Sequence, residues 1–199
     1  MKIASREYAF LVPRHNLKPQ DVLVACRLAL ASPGSEDITQ RGLAADLCVS
    51  LSTVHSALKN LRGAGLVKGS GPYVVEGGRL LDFLVHGVPV VYQAERTEVV
   101  RGVATGIFSP YFRERFAAGR LVATVWPYGK GKEVGEGLVP LYPTVPVVCS
   151  RNPELYQLLA AVDVLRVGKS REREAAVTYL RDVLKVTAGI SVPEDEVAA

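Results

Sequence analysis

The chain has 199 residues, of which 48% are hydrophobic and 22% are charged, so it can bury a core and is not typical of a disordered protein. Its net charge is only +4, and no apolar run approaches the roughly 18 residues of a membrane-crossing helix. The N-terminus lacks the apolar stretch of a signal peptide, and three scattered cysteines fit neither a disulfide framework nor a zinc site. We therefore expect a cytoplasmic protein with no membrane contact.

The first 78 residues are predicted to hold an N-terminal arm (residues 1–16), followed by three helices and a hairpin (residues 17–78). The signals are proline near a helix start, serine or threonine at a cap, and glycine beyond a helix end. They place the helices at residues 19–31, at residues 39–47 with Thr39 as the N-cap, and from after Ser50 or Ser52 to about Arg62. Short β segments at residues 66–68 and 73–75 flank Gly69-Ser70-Gly71-Pro72, which predicts a tight hairpin turn.

The second and third predicted helices carry the residues that a helix-turn-helix needs. Two helices that cross steeply need small side chains where they touch, an apolar residue in the turn and an apolar stripe on the second helix. The sequence supplies these as Ala44 and Ala45, as Val49, and as Val54, Leu58 and Leu61 with Ala57 beside them. The third helix is therefore predicted to bury one face and to project the other.

The opposite face of the third predicted helix is polar and carries cations. No acid occurs between Asp46 and Glu76, and a surface without carboxylates is what the phosphate backbone of DNA requires. Short hydrogen-bonding side chains suit base edges, whereas lysine and arginine suit phosphates. The predicted DNA-contacting residues are Thr39, Ser50, Ser52, Thr53, His55, Ser56, Lys59, Asn60, Arg62 and Lys68.

The run LAADLCVSLSTVHSALKNL at residues 43–61, followed by Gly65-Leu66-Val67, resembles the winged helix-turn-helix of MarR-like and related bacterial regulators. The resemblance covers residues 19–75 and implies a transcriptional regulator, a repressor or autoregulator, that binds double-stranded DNA sequence-specifically. Two features depart from it, because Cys48 stands where the family usually has glycine and the short wing carries no basic finger. Since one winged helix makes few base contacts, we expect a homodimer on a two-fold site.

The second half of the chain is predicted to be a small α/β module over residues 79–187, with a flexible tail at residues 188–199. Hydrophobic periodicity and turn residues define its elements, and a stretch with four glycines is predicted to be a loop. The elements are helices at residues 80–86 and 110–118, strands at 88–92 and 121–126, the loop at 128–137, and a helical hairpin at 153–185 broken near Val167-Gly168. The predicted fold class is thus α+β: a winged helix-turn-helix followed by an α/β module that ends in a helical hairpin.

Short runs in this second half are similar to the C-terminal part of regulators encoded beside abortive-infection nucleotidyltransferase toxins. They are residues 86–89 (HGVP), 101–105 (RGVAT), 125–127 (VWP), 141–143 (LYP), 155–159 (LYQLL) and 163–174 (DVLRVGKSRERE). The similarity implies an antitoxin-like interaction protein that neutralises a toxin partner, with DNA binding secondary. A ligand-sensing regulator is a third alternative, which an apolar pocket with converging polar groups would favour.

The remaining patterns do not indicate an enzyme, a metal site or a cofactor. His15, His55 and His86 lie far apart in sequence and have no partners at ligand spacing. The run Gly129-Lys130-Gly131-Lys132 lacks the spacing of a phosphate-binding loop, and the cations of residues 166–173 are interleaved with acids, which is typical of a solvated helix face. With no Ser-His-Asp, Cys-His or paired-carboxylate pattern, the chain is predicted not to be an enzyme.

Overall fold

The three helices predicted between residues 17 and 62 begin and end close to the residues that their caps predict. In the computed structural model, which describes residues 16–31, 38–70, 72–116 and 122–186, they are α1 (Pro19–Ala29), α2 (Gln40–Asp46) and α3 (Leu51–Gly63). The hydroxyls of Thr39 and Ser50 accept the backbone N–H groups of Gly42 and Thr53 at 3.0 and 3.1 Å. The predicted N-cap Thr39 is thus confirmed, and of the two alternatives for the start of the third helix, Ser50 is the cap. The predicted tail and nearly all of the predicted arm lie outside the described residues.

A two-stranded hairpin follows α3. Its strands are β1 (Val67–Lys68) and β2 (Val74–Val75), which pair antiparallel with Lys68 opposite Val74. The connection therefore spans residues 69–73 and is longer than the predicted tight turn. Gly69 adopts a positive φ of 82°, and a Cβ there would collide with the carbonyl oxygen of Pro72, so this turn needs glycine.

A helical segment connects the hairpin to the rest of the fold and corrects one strand prediction. Helix α4 (Gly77–Asp82) runs through a π-helical turn (Phe83–Gly87) into α5 (Val88–Val91). Residues 88–92 were expected to form a strand because valine is common in strands, but Val88 is buried against the core and Pro89 lies in the first turn of α5, a position that suits proline. The predicted domain boundary after residue 78 falls inside α4.

The second half of the chain contains a closed three-stranded barrel. Its strands are β3 (Arg96–Ala104), β4 (Ala123–Pro127) and β5 (Glu133–Leu138), and β3 pairs antiparallel with both others while β4 and β5 pair in parallel. The predicted strand at residues 121–126 is confirmed over most of its length as β4. The prediction of a loop at residues 128–137 is wrong from Glu133 onward, where β5 begins, and β3 was not predicted.

Close packing inside the barrel explains why its glycines do not mark a loop. A Cβ at Gly102 would collide with the backbone of Trp126, and one at Gly135 would collide with the backbone of Ala123. A Cβ at Gly137 would meet the Thr97 side chain. Glycine in a strand commonly marks a close approach of backbones, and here it allows a sheet of only three strands to close on itself.

The C-terminal helical hairpin is confirmed, and its first helix lies at the centre of the fold. Helix α8 (Pro153–Val167) is buried at every position from residue 158 to residue 165, and Leu155, Leu158 and Leu165 are each at most 2% exposed. It contacts α1, α5, α7 (Val145–Cys149) and α9 (Ser170–Val183), together with the 3-10 turn Gly106–Phe108 that precedes α6 (Pro110–Phe116). Because a helix that is apolar all round must be surrounded by other elements, both halves of the described chain share one core.

The described residues thus form an α+β fold. None of their helices is both long enough and apolar enough to cross a bilayer.

Candidate nucleic-acid interface

The turn between α2 and α3 fixes the direction of α3. Leu47 is fully buried at the end of α2, and Val49 packs against the core, as expected for the apolar residue of this turn. Cys48 lies between them with a positive φ of 52°, the left-handed conformation that favours glycine. Of the two predicted contact alanines, Ala44 packs against the core, whereas Ala45 is exposed and does not mediate the helix contact.

Helix α3 has one buried face and one exposed face, as its sequence predicts. Val54, Ala57, Leu58 and Leu61 each have 0% exposure. The exposed face carries Ser52, His55, Ser56 and Lys59, while Thr53 is half-buried and Ser50 is exposed at the N-cap. The hydroxyl of Ser50 lies 2.8 Å from those of both Ser52 and Thr53, so these three hydroxyls share a small network at the start of the helix.

Asn60 was predicted to lie on the exposed face, but its amide points into the protein. Its Nδ2 donates to Asp21 Oδ2 at 3.0 Å, and the backbone N–H of Lys18 donates to the same oxygen at 2.9 Å. Asp21 is 1% exposed, so Asn60 satisfies a buried carboxylate and ties α3 to the start of α1. The 3.6-residue period places Asn60 at the border of the two faces, where a partner 39 residues away decides its direction.

Three other predicted contact residues are also engaged in the fold. Arg62 Nη1 donates to the carbonyl oxygen of Gly69 at 3.3 Å, which ties the end of α3 to the hairpin. Lys68 Nζ lies 3.0 Å from Glu76 Oε1, although its side chain remains 71% exposed. The hydroxyl of Thr39 accepts the α2 cap hydrogen bond described above, and the residue is exposed.

Two cations that sequence reasoning missed lie on the same elements or beside them. Arg41 is exposed in the first turn of α2, and its position two residues after the Thr39 cap was a signal available in the sequence. Arg151 precedes α8, yet its Nη1 lies 3.7 Å from Cys48 Sγ at the α2–α3 turn. A contact between residues 103 positions apart leaves no local pattern in the sequence.

The charges around α3 favour an anionic partner. Over residues 38–76 the chain carries Arg41, Lys59, Arg62 and Lys68 against two acids, Asp46 and Glu76. Asp46 accepts Arg27 Nη2 at 2.8 Å, and Glu76 accepts Lys68. Within the described residues, Arg41 and Lys59 take part in no ion pair, so their charges are available to a ligand.

A buried ion pair lies outside this surface and joins α8 to its surroundings. Asp163 accepts Arg166 Nη1 at 2.7 Å, the Thr105 hydroxyl at 2.8 Å and Trp126 Nε1 at 2.5 Å. Burial raises the pKa of the Asp163 carboxyl, and the Arg166 guanidinium and the two further donors oppose that rise. Arg166 also donates to the carbonyl oxygens of Tyr92 and Gln93, at 2.9 and 3.2 Å. Through these hydrogen bonds and the bond from Trp126, the ion pair connects α8 to the end of α5 and to the barrel.

Away from α3, one cavity could hold a ligand, and its lining is charged. A cavity of about 700 Å³ lies between α6 and α9. Charged side chains dominate its lining, which is Arg115, Phe116, Lys169, Ser170, Arg171, Glu172, Glu174, Ala175 and Thr178. Such a lining is not the apolar pocket with converging polar groups that would favour a ligand-sensing regulator. Among the residues that the structure describes, no three His, Cys, Asp or Glu side chains are grouped so as to hold a metal ion.

Comparisons with known proteins add no assignment to this geometry. No protein-family model, curated protein or solved structure matches the chain.

Proposed function

We propose that the chain is a transcriptional regulator that binds double-stranded DNA, with α2 and α3 as a helix-turn-helix and β1–β2 as its wing. The observation that carries the proposal is the division of α3: a fully buried apolar face backs an exposed, acid-free face of serine, histidine and lysine. A recognition helix must be held rigidly from behind while it offers hydrogen-bonding groups to base edges. The four buried residues supply the first requirement, and Ser52, His55 and Ser56 supply the second.

The cations near α3 have two kinds of role: some contact the DNA backbone, and one positions the wing. Lys59 on α3 and Arg41 on α2 are suited to phosphates, because Lys and Arg contacts to the DNA backbone fix orientation without reading sequence. Arg62 acts as a positioning residue through its bond to Gly69 and holds the wing against α3. Lys68 is the basic residue of the hairpin, and its ion pair with Glu76 makes the wing a weak contributor.

Selection of duplexes from a random-sequence library, followed by anisotropy titrations, tests this function. Wild-type affinity for the selected duplex should fall steeply as salt rises, since bound cations displace counterions. Lys59→Ala should weaken binding to all duplexes alike and lower the salt slope by about 1, whereas Ser56→Ala should reduce discrimination by about 1–3 kcal/mol. Lys130→Ala, in the exposed turn between β4 and β5, is the matched control and should change neither quantity.

Failure to select any duplex, or an affinity independent of salt, contradicts DNA binding. If Ser56→Ala and His55→Ala both bind every duplex as the wild type does, α3 is not the reading helix.

A further inference from the structure

The outer surface of the barrel exposes apolar side chains that nothing in the proposed DNA contact uses. Val99 on β3 and Val134 on β5 are 64% and 56% exposed, and Val122 just before β4 is 57% exposed. Alternate residues of a strand share a face, so Val99 and Arg101 lie on one side of β3, and Val134 and Glu136 lie on the same side of β5. Exposed valines that cluster on a sheet face mark an interaction surface more often than valines scattered singly.

The strand register arranges four of these residues as a square. Val99 lies opposite Glu136, and Arg101 lies opposite Val134. The two valines therefore occupy one diagonal, while the arginine and the glutamate occupy the other. Arg96 pairs with Glu136 at the edge of the square, and each of those two side chains remains more than two-fifths exposed. Arg101 is exposed as well, and its Nη1 donates to the carbonyl oxygen of Gly131 at 3.3 Å in the same chain.

This square is complementary to itself. A two-fold axis that lies in the plane of the face, along the valine diagonal, brings Val99 onto the partner's Val99 and Val134 onto the partner's Val134. The same rotation brings Arg101 onto the partner's Glu136, and Glu136 onto the partner's Arg101. Isologous interfaces require such self-complementarity, and opposite charges across an interface suppress wrong registers.

We propose that this barrel face, formed by Val99, Arg101, Val134 and Glu136 with Val122 at its side, is the interface through which two copies of the chain form a two-fold dimer. Closure of the barrel favours this face-to-face contact, because a closed sheet does not offer the edge that strand addition needs. The inference deepens the proposed function, since a dimer would present two copies of α3 to a two-fold DNA site. Its test uses no DNA, so the two proposals can fail separately.

Sedimentation velocity of the full chain over a concentration series tests the interface. We expect a dimer of twice 21.4 kDa that dissociates on dilution. Val99→Lys and, separately, Val134→Lys should each raise the dimer dissociation constant about tenfold or more, because each places a charge in the apolar centre of the contact. Val90→Lys alters a valine that is 70% exposed on α5 instead, and should leave the constant unchanged.

Charge reversal then tests the proposed axis. Arg101→Glu and Glu136→Arg should each weaken the dimer, and the double reversal should restore it toward the wild-type constant. Far-ultraviolet circular dichroism and thermal melts establish that each variant is folded. A wild-type chain that stays monomeric at every concentration overturns the proposal, and so does a dimer that the Val99 and Val134 substitutions leave intact. If the double variant dimerises more weakly than both single variants, the proposed axis is wrong, and so is the interface that depends on it.

Discussion

At the scale of single residues, Cys48 and Asn60 show what a local sequence pattern can and cannot predict. Cys48 holds a left-handed backbone that a glycine would adopt without strain, at a turn position where the resemblance to regulators predicts glycine. Asn60 is polar, as a residue that contacts DNA bases would be, yet its side chain donates a hydrogen bond to the buried Asp21. The backbone conformation was predictable from local sequence, whereas the side-chain direction depended on a contact with another helix.

Substitutions at Cys48 should separate backbone strain from side-chain loss. Cys48→Gly should be neutral or stabilise the fold by up to about 1 kcal/mol, because glycine adopts a positive φ without a Cβ penalty. Cys48→Val should destabilise it by about 1–2 kcal/mol, since a β-branched residue is strained there. Chemical denaturation measures both changes. Equal stability of the two variants would mean that residue 48 does not hold this conformation in solution.

Asn60→Ala should reduce stability more than it reduces sequence discrimination. The substitution removes one of the two donors to Asp21 Oδ2, on a carboxylate that is 1% exposed, and the loss of a hydrogen bond to a buried polar group costs about 1–3 kcal/mol. Ser56→Ala, on the exposed face of the same helix, is the comparison and should change stability by less than about 0.5 kcal/mol. Denaturation curves for the two variants, beside their binding profiles, give the answer. A stable Asn60→Ala chain with relaxed DNA preference would return Asn60 to the set of reading residues.

At the scale of elements, helices were predictable where caps and period agree, whereas strands β3 and β5 were not predicted. The hydroxyl caps and apolar spacing of α2 and α3 are local signals, so their bounds were predicted within a residue or two. Strand β5 alternates valine and glutamate with glycines, whose role is to let backbones meet across the barrel. A glycine that serves a close approach and one that serves a loop look alike in a single sequence.

The packing of α3 can be tested through its two faces. Leu58 is fully buried, so Leu58→Ala should destabilise the protein by about 2–5 kcal/mol through lost burial and the cavity left behind. Ser52→Ala lies on the exposed face and should have little effect, whereas Ser50→Ala removes the N-cap and should cost about 1 kcal/mol. Thermal melts of the variants rank the changes. An unaltered melting temperature for Leu58→Ala would contradict the seating of α3 in the core.

At the scale of the whole molecule, α8 packs against both halves of the chain, which the sequence pattern predicts to be separate units. The division into a DNA-binding part and a second module was predicted from a change in pattern near residue 78, where the structure has a continuous helix. The shared core could not be predicted from periodicity, because a helix that is apolar on every side does not indicate which elements surround it. Arg166, which belongs to the ion pair on α8, likewise donates to the carbonyl oxygen of Tyr92, 74 positions away in the sequence.

Removal of Asp163 should destabilise both halves together. Asp163→Ala leaves the Arg166 guanidinium buried without its carboxylate, and the side chains of the pair are only 2% and 4% exposed, so we expect a loss of about 3–5 kcal/mol. Asp182→Ala, an exposed aspartate on α9, should shift stability by less than about 0.5 kcal/mol. Calorimetry should record one transition for each variant, since α8 contributes to both sides of the core. Two separate transitions in the wild-type chain would show that the halves unfold independently.

The late position of α8 in the chain also affects how the protein is made. Helix α1 ends at Ala29, whereas α8, which packs against it, begins only at Pro153. At the usual speed of translation, about 5–20 residues per second, the ribosome needs roughly 6–25 s to synthesise the intervening stretch. During that interval the apolar side of α1 that α8 will cover faces solvent or a chaperone. The nascent chain therefore leaves this side of α1 uncovered until its last third has been made.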